Sequence, residues 1–335
     1  MAKGYAITIG VDDYSQWITA GDLPSCVNDA RFMNSLAKAF SYSELYSFVN
    51  RDATMRNVIE GIISVASRAV AGDIVIIYYS GHGTVVPDTK TRANNPGENG
   101  DEIPDLLYQG KFDSGYCLYD NVILYDDFFT LLMKLFAKDV RVYVISDCCY
   151  SFSMVDEVSS VVVNTALINS GMDHISNSKL KSSFDKIFPT FGAKRKQELL
   201  NLLKTANKKG IEASVIEFSS SSNMTTSLAG SQLSVFTNSI YDNIFQTLGL
   251  DDYPVTRLKA HCTNDLYRYF RNLYNNNPGA EVEDIRDLIE LGLDNNIHRL
   301  SHEDQISTLI SYKLPRLQYR GKFSRNFQNQ EVFKI

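Results

Sequence analysis

Several stretches of the chain have the apolar pattern of β-strands. Residues 73–79 and 141–146 are continuous runs of β-branched and aromatic residues, without the polar alternation of a half-exposed strand. Such strands are typically buried on both faces, as in a parallel sheet. Residues 4–11, 45–49 and 213–218 are three further strand candidates.

Apolar residues recur at helical spacing between these strands. This spacing predicts one helix after residues 4–11, one after residues 45–49 and one before residues 141–146. Thr54 is the expected N-cap of the second helix, and residues 235–245 form a further helix candidate after the last strand. The order of elements predicts an α/β fold with a mostly parallel central sheet and helices on both faces. The periodic positions are Ala30, Met33, Ala37 and Phe40; Val58, Ile62, Val65 and Ala66; and Phe128, Leu131, Leu132, Leu135 and Phe136.

Composition excludes several classes of protein. Among 335 residues, 33 are Lys or Arg and 39 are Asp or Glu, and the formal charge of −6 offers no basic surface for nucleic acid. No apolar run is long enough to cross a bilayer, and the first ten residues lack the pattern of an export signal. Five cysteines, two of them adjacent, do not form a disulfide framework. We therefore expect a cytoplasmic protein that binds neither membrane nor nucleic acid.

Reactive side chains follow two of the buried strands. His82 stands between two glycines after residues 73–79, and Asp147, Cys148 and Cys149 follow residues 141–146. The carboxyl ends of neighbouring parallel strands meet at one edge of a sheet, where ligands bind. A Cys149–His82 pair is therefore geometrically available, whereas Cys148 is expected to point into the core.

The chemistry of acyl transfer accounts for these residue types. A free thiol has a pKa of about 8.5 and is only slightly ionised at neutral pH. A nearby imidazole raises the thiolate fraction and later protonates the leaving amine. The backbone N–H groups of Gly83 and Cys149 are candidates for binding the developing oxyanion. Loss of one such donor costs about 3–4 kcal/mol of transition-state stabilisation.

Several ordered motifs resemble those of the caspase-like cysteine peptidases, specifically the bacterial branch of the metacaspases. The resemblance covers most of the chain and implies the caspase-haemoglobinase fold and no cofactor required for the chemistry. The matching segments are residues 23–30 (LPSCVNDA), 79–83 (YSGHG), 116–120 (YCLYD) with 126–128 (DDF), 147–151 (DCCYS), 236–237 (FT) and 327–335 (FQNQEVFKI).

The resemblance also assigns roles to individual residues. Cys149 would be the nucleophile and His82 the general base and acid of a peptidase that cleaves after Arg or Lys. Asp29 and Asp147, with Ser80 at the wall, would line an acidic pocket that binds a guanidinium or ammonium group and repels acidic side chains. Alternatively, Asp29 only favours the start of a helix and Asp147 only accepts hydrogen bonds within its loop.

Many metacaspases respond to Ca²⁺, and the resemblance implies Ca²⁺ as an activator of this chain. The matching carboxylates are Asp113, Asp126, Asp127 and Asp156, which offer the oxygen ligands that Ca²⁺ takes. Asp126 and Asp127 also stand at a predicted helix start, where they would serve equally well as capping charges. The resemblance further implies a monomer, with protein or peptide substrates and an activating partner protein as an option.

Two departures from the family pattern keep other functions open. Tyr150 and Phe152 replace the usual His and Gly after the nucleophile and would reshape or block the site. A catalytically silent, caspase-like binding scaffold is therefore the main alternative, and a cysteine hydrolase acting on a small amide or ester is a third hypothesis. The basic segment at 194–209 is either a solvated helix or a connection that the protein itself cleaves.

The chain divides into three predicted regions. Residues 1–250 form a caspase-like catalytic domain in which 157–210 is an elaborated connection. Residues 251–310 form a helical insertion, and residues 311–335 return to the catalytic domain.

Overall fold

A computed structural model describes residues 2–17, 20–87, 112–148, 154, 191–220, 232–245, 318–320 and 333. Nine strands and five helices lie within these ranges. The strands are β1 (Gly4–Gly10), β2 (Glu44–Val49), β3 (Ile74–Ser80), β4 (Gly83–Pro87), β5 (Phe112–Leu118), β6 (Val122–Tyr125), β7 (Arg141–Asp147), β8 (Ser214–Ser219) and β9 (Gln318–Arg320). The helices are α1 (Cys26–Ala39), α2 (Met55–Ala66), α3 (Asp126–Met133), α4 (Ala193–Asn207) and α5 (Val235–Phe245).

The larger of the two sheets has the strand order β2-β1-β3-β7-β8-β9. Its first five strands are parallel to one another, and β9 pairs antiparallel with β8 at one edge. Every residue of β1 and β3 is buried, and so are all but the first of β7. This confirms the strands predicted from the continuous apolar runs, because only a sheet covered on both faces buries successive side chains.

Two hydrophobic cores cover the faces of this sheet. On one face, α2, α3 and α4 pack against side chains such as Ile77 and Val144. On the other face, α1 and α5 pack against the alternate positions, such as Ile76 and Ile145. Helices on both faces of a mostly parallel sheet confirm the α/β architecture predicted from the sequence.

The helices predicted within the described ranges are confirmed, except for the extent of α3. Thr54 is the N-cap of α2, where its hydroxyl accepts a hydrogen bond from the Asn57 N–H at 3.3 Å. α3 ends at Met133, whereas the apolar spacing predicted a helical face as far as Phe136. Phe136 is nevertheless fully buried, because the chain after the helix still runs against the core.

A second sheet, with the order β4-β5-β6, was not predicted. Its three strands are antiparallel, and β5 contains Asp113, Ser114 and Gly115, which have low β-propensity. Gly115 allows the strands to approach, since a Cβ there would lie 2.4 Å from the Ile123 Cγ2. This sheet extends from the end of β3 and so borders the candidate site.

Part of the connection predicted at 157–210 is α4. Its side chains Leu199, Leu203 and Ala206 are buried, and Arg195 forms an ion pair with Glu60 of α2. The basic segment is thus a packed helix with a solvated face, which argues against self-cleavage there. Within the described ranges, no helix has the length and apolar character needed to span a membrane.

The C-terminal region is described only at β9 and Phe333. Phe333 is fully buried, and its carbonyl accepts a hydrogen bond from the Tyr42 hydroxyl at 3.1 Å. It lies in a turn with a φ of 61°. The predicted insertion at 251–310 lies outside the described residues, and the division into three regions stays a prediction.

Candidate active site

The strands that precede His82 and Cys149 are direct neighbours. β3 pairs with β7 in parallel register, which ends with Ser80 opposite Asp147. His82 comes two residues after Ser80, and Cys148 comes directly after Asp147. The sheet therefore brings the two predicted reactive segments to one edge, as the sequence indicated.

Cys149, the predicted nucleophile, lies outside the described residues. The Cys149–His82 pair and the contribution of the Cys149 N–H to an oxyanion site therefore stay predictions. Other residues singled out from the sequence have the same status: Tyr150, Phe152 and Asp156 entirely, and Asp113 and Asp127 in their side chains.

The His82 imidazole is oriented by a backbone carbonyl. Its Nε2 lies 2.8 Å from the Gly21 oxygen, and its ring packs edge-on against Tyr14 with the ring centroids 4.5 Å apart. A carbonyl oxygen only accepts hydrogen bonds, so Nε2 must carry the proton. In the neutral imidazole, Nδ1 is then the acceptor and is the atom suited to take a proton from a thiol.

Two buried tyrosines hold the backbone around His82. The Tyr14 hydroxyl accepts the His82 N–H at 2.6 Å, and the Tyr79 hydroxyl donates to the His82 and Cys117 carbonyls at 2.8 and 2.7 Å. Burial raises the pKa of both tyrosines well above the ordinary value, so both remain neutral phenols. Gly81 makes room for them, because a Cβ there would lie 2.5 Å from each hydroxyl oxygen.

The strand register fixes the direction of the Gly83 N–H, the predicted oxyanion donor. The Cys117 N–H donates to the His82 carbonyl at 3.0 Å, next to the antiparallel pair of Gly83 and Tyr116. In this register neither residue of the pair directs its N–H at the other. The Gly83 N–H is therefore directed away from β5, on the outer side of β4, beside His82.

Asp29 of α1 is bonded to two other elements at the base of the site. Its Oδ2 accepts a hydrogen bond from the Ser80 hydroxyl at 2.9 Å, and its Oδ1 accepts the Ser234 N–H at 2.8 Å. The side chain is fully buried. The predicted pocket residues Asp29 and Ser80 are thus in direct contact.

Asp147 is bonded to the start of α5. Its Oδ2 accepts hydrogen bonds from the Ser234 hydroxyl, from the Thr237 hydroxyl at 2.7 Å and from the Tyr78 hydroxyl at 3.4 Å. The Ser234 hydroxyl also accepts the Thr237 N–H at 3.1 Å, as an N-cap does. The helix N-terminus, which carries a partial positive charge, thereby touches both carboxylates.

Burial and a neighbouring charge raise the cost of ionising Asp29. Burial and then the charge of Asp147 raise the pKa of Asp29 to about 8. Burial, followed by smaller effects of both carboxylates, raises the pKa of the Cys26 thiol as well. Asp147 is only 3% exposed, so the pocket is closed to solvent in this conformation.

Cys148 and Met154, the described residues nearest to Cys149 on either side, contact β8 and the residue after it. Cys148 is buried, as predicted, and its carbonyl lies 3.5 Å from the Ser220 hydroxyl. Met154 is also buried, and its N–H donates to the Glu217 Oε1 at 3.1 Å. Glu217 is itself fully buried, which is unusual for a carboxylate in the middle of a strand.

Of the carboxylates predicted to bind calcium, Asp126 is described in full. It is the first residue of α3, and its Oδ2 accepts the Ser114 N–H at 3.0 Å, which ties the helix to β5. Asp113 precedes Ser114 in β5, so its backbone lies at the same end of the small sheet as Asp126 and Asp127. These hard oxygen donors fit Ca²⁺, although the side chains within the described ranges form no metal-binding group of three.

Sequence reasoning missed most of the residues that hold the site. Tyr14 and the Gly21 carbonyl carry no local signal, because their roles depend on contacts with residues far along the chain. Tyr79 belongs to the segment at 79–83 that resembles a family motif, but its bonds to the His82 and Cys117 carbonyls were not predicted. Ser234 directly precedes the predicted helix at 235–245, as an N-cap does, but its bonds to Asp29 and Asp147 join residues more than 80 positions apart. Thr237 could have been identified from the sequence, because it belongs to the segment at 236–237 that resembles a family motif.

Comparison with known proteins places the chain in a family. The family profile of Peptidase_C14, described as the caspase domain, matches residues 3–282. The chain is 29% identical to Metacaspase-6 of Arabidopsis thaliana over 174 residues, which is 48% of this chain and 41% of that protein. It is 27% identical to Metacaspase-3 of Trypanosoma cruzi over 180 residues, 51% of this chain and 46% of that protein.

The matches cover less than half the length of these two relatives. Among solved structures, a structural-genomics protein from Geobacter sulfurreducens aligns with a TM-score of 0.55 and 21% identity, covering 99% of this chain and 98% of that one. This structural likeness concerns the fold alone. The family profile, which matches residues 3–282, shows that the chain belongs to the caspase-domain family Peptidase_C14.

Proposed function

We propose that this protein is a cysteine endopeptidase with a Cys149–His82 dyad. One observation carries the proposal: adjacent parallel strands, in register at Ser80 and Asp147, deliver the imidazole and the nucleophile segment to the same edge of the sheet. Membership of the caspase-domain family supports the same activity.

The proposed reaction uses His82 as a proton carrier. Its Nδ1 takes the proton of the Cys149 thiol, and the sulfur attacks the carbonyl carbon of the scissile peptide bond. The same proton then passes to the nitrogen of the leaving amine, and water hydrolyses the acyl-enzyme with His82 as the base. The Gly21 carbonyl keeps the second ring proton on Nε2 throughout, because it bonds only a donor.

The N–H groups of Gly83 and Cys149 would bind the oxyanion. Gly83 supports this role because its N–H faces away from β5 and its neighbour His82 is held by two phenols. A donor fixed before the reaction costs no reorganisation as charge develops, which is the basis of its effect on the rate.

The substrate class we propose is protein or peptide with Arg or Lys before the scissile bond. Asp29 and Asp147 supply two carboxylates in one pocket, and their negative charge favours a cation over an acidic side chain. Because both are closed to solvent, residues that cover the pocket have to move before a substrate side chain enters.

Activation by Ca²⁺ or by a partner protein is part of the proposal, but neither is needed for the chemistry. Asp113, Asp126, Asp127 and Asp156 would hold Ca²⁺, which would supply positive charge that draws these carboxylates together. We further propose a cytoplasmic monomer. The reduced cysteines within the described ranges, Cys26, Cys117 and Cys148, are compatible with that location.

A set of fluorogenic peptides tests the proposed function. Peptides with Arg or Lys before the cleaved bond should be hydrolysed, with or without added Ca²⁺, and a matched Asp peptide should not. Cys149→Ala should abolish turnover, while Cys148→Ala, which removes the neighbouring buried thiol, should retain it. Turnover that survives Cys149→Ala would exclude the dyad.

The second candidate function is that of a catalytically silent scaffold. The closed pocket favours it, because Asp29 of α1 and Asp147 of β7 already form hydrogen bonds with the start of α5. Absence of turnover of Arg and Lys peptides under all conditions would support it. Turnover of small esters or amides without cleavage of proteins would instead support a small-molecule hydrolase.

A further inference from the structure

The loop between β1 and α1, residues 11–25, contacts His82 through both its backbone and its ring. The structure describes residues 11–17 and 20–25 of this loop. The Tyr14 hydroxyl accepts the His82 backbone N–H at 2.6 Å, and the Gly21 carbonyl oxygen lies 2.8 Å from Nε2 of the imidazole. The conformation of this one loop therefore sets both the position of His82 and the orientation of its ring.

The fold holds these two partners of His82 in different ways. Tyr14 is fully buried, and its hydroxyl also donates to the Cys117 carbonyl at 3.2 Å. Gly21 is exposed to solvent, and so is its contact with the imidazole. Water competes for an exposed hydrogen bond, so burial does not fix the direction of this carbonyl. Bonds within the loop have to fix it instead.

Asp22, which follows Gly21 directly, forms such a bond. Its Oδ1 accepts the backbone N–H of Tyr14 at 2.9 Å. A hydrogen bond to an ionised carboxylate is stronger than one between neutral groups. The Asp22 side chain thereby joins the two ends of the loop that hold His82.

Two further hydrogen bonds attach the same loop to its surroundings. The Leu23 N–H donates to the Asp12 carbonyl at 2.9 Å, directly after Asp22. The indole N–H of Trp17 donates to the Leu118 carbonyl at 2.9 Å, at the end of β5. Trp17 is the single tryptophan of the chain, so the protein's tryptophan fluorescence reports on this loop alone.

We propose that Asp22 is a positioning residue for His82. Its carboxylate keeps the Tyr14 phenol and the Gly21 carbonyl at the spacing at which both bind His82, and so maintains the Nε2–H tautomer. This inference rests on the proposed role of His82 as the general base, because that tautomer leaves Nδ1 as the proton acceptor. Asp22 acts through Gly21 and Tyr14 and takes no part in the reaction itself.

Three substitutions in the loop test this proposal. Asp22→Ala removes the acceptor of the Tyr14 N–H, whereas Asp22→Asn keeps an oxygen that accepts it. Asp13→Ala is the matched control, because the Oδ1 of Asp13 accepts the Ser15 N–H at 2.9 Å. The control removes the same charge and one acceptor from the same loop, but it leaves the bond between Asp22 and Tyr14 intact.

Nuclear magnetic resonance of ¹⁵N-labelled histidine measures the tautomer without substrate. The spectra are recorded at about pH 8.5, above the ordinary titration range of histidine, in the Cys149→Ala background, which contains no catalytic thiolate. The chain has five histidines, and the signals of His82 are those missing in His82→Ala. We expect the Nε2–H tautomer in the parent, in Asp22→Asn and in Asp13→Ala, and a mixture of both tautomers in Asp22→Ala. An unchanged His82 tautomer in Asp22→Ala would overturn the proposal.

Tryptophan fluorescence and kinetics measure the two consequences. Acrylamide should quench Trp17 more strongly in Asp22→Ala than in the parent, Asp22→Asn or Asp13→Ala. On an Arg peptide, kcat of Asp22→Ala should fall by about tenfold with little change in KM, a part of the about 10²- to 10⁴-fold that a positioned general base contributes. Asp22→Asn should restore kcat. Equal losses of kcat in Asp22→Ala and Asp13→Ala would overturn the proposal.

The outcomes separate this inference from the proposed function. A parent protein that cleaves no peptide would refute the peptidase, and the tautomer and the quenching would still decide whether Asp22 positions the His82 ring. A changed tautomer in Asp22→Ala with the kcat of the parent would refute the role of Asp22 in catalysis while the peptidase stands.

Discussion

The hydroxyl of Tyr14 offers a direct test of how His82 is held. It accepts the His82 N–H at 2.6 Å and donates to the Cys117 carbonyl at 3.2 Å, and the side chain is fully buried. Tyr14→Phe removes one oxygen atom and leaves the ring packed edge-on against the imidazole. The change therefore isolates the hydrogen bonds from the packing.

The expected cost follows from which groups lose their partner. The Cys117 carbonyl keeps the hydroxyl of Tyr79 at 2.7 Å, so it remains bonded. The His82 N–H loses the acceptor it has in the structure, and leaving this partly buried donor unsatisfied costs about 1–2 kcal/mol of unfolding free energy. The segment carrying the imidazole should then sample several positions.

A matched control separates stability from catalysis. Tyr42 is also buried, and its hydroxyl donates to the Phe333 carbonyl at 3.1 Å on the opposite face of the sheet. Tyr42→Phe therefore removes the same atom and one hydrogen bond far from His82. Urea unfolding should detect a loss of about 1–2 kcal/mol in both variants.

The rate of peptide hydrolysis distinguishes the two variants. In Tyr14→Phe we expect kcat to fall by about tenfold, equivalent to about 1.4 kcal/mol of activation free energy, with little change in KM. Tyr42→Phe should keep the parental kcat once both proteins are assayed well below their unfolding midpoints. Equal kcat values in the two variants would refute the assignment of Tyr14 to the positioning of His82.

Three further predictions concern other parts of the site. Gly81→Ala places a Cβ 2.5 Å from two phenol oxygens and should lower both the melting temperature and kcat. Gly210→Ala is the control, because its Cβ would have no atom within 4 Å, and it should change neither quantity. Equal effects of the two substitutions would contradict the packing argument. Because the pKa of Asp29 is raised to about 8, the folded state favours its protonated form, so this group's contribution to stability is complete below about pH 4 and is lost as the pH rises to about 8. Asp29→Asn should therefore be stabilised relative to the parent at pH 8.5 more than at pH 5, by up to about 1.4 kcal/mol per pH unit, and a constant difference in urea unfolding would exclude the shift. Glu217→Leu should lower the free energy of unfolding by about 1–3 kcal/mol and reduce kcat, because the Met154 N–H loses its acceptor. Glu217→Gln keeps an acceptor oxygen and should retain most of the stability and of kcat. Identical losses in the two variants would show that the charge of Glu217 matters instead.

The contributions of sequence and structure differ from one element to another. The strands β3 and β7 and the helix α2 were predictable, because burial on both faces and the capping of a helix each leave a local pattern. The small sheet was not, since β5 contains Asp113, Ser114 and Gly115 and is held by pairing with β4 and β6. Strand pairing across a long connection leaves no short-range period in the sequence.

For the site, the sequence by itself determined the reactive residue types and their order along the chain: His82 after one buried strand, and Asp147 with Cys148 after another. Only the tertiary structure decided that the Gly21 carbonyl selects the imidazole tautomer and that Ser234 joins the pocket carboxylates. The physical reason is distance along the chain. Periodicity and motifs report interactions within one element, whereas hydrogen bonds and pKa shifts depend on side chains that folding brings together from separate elements.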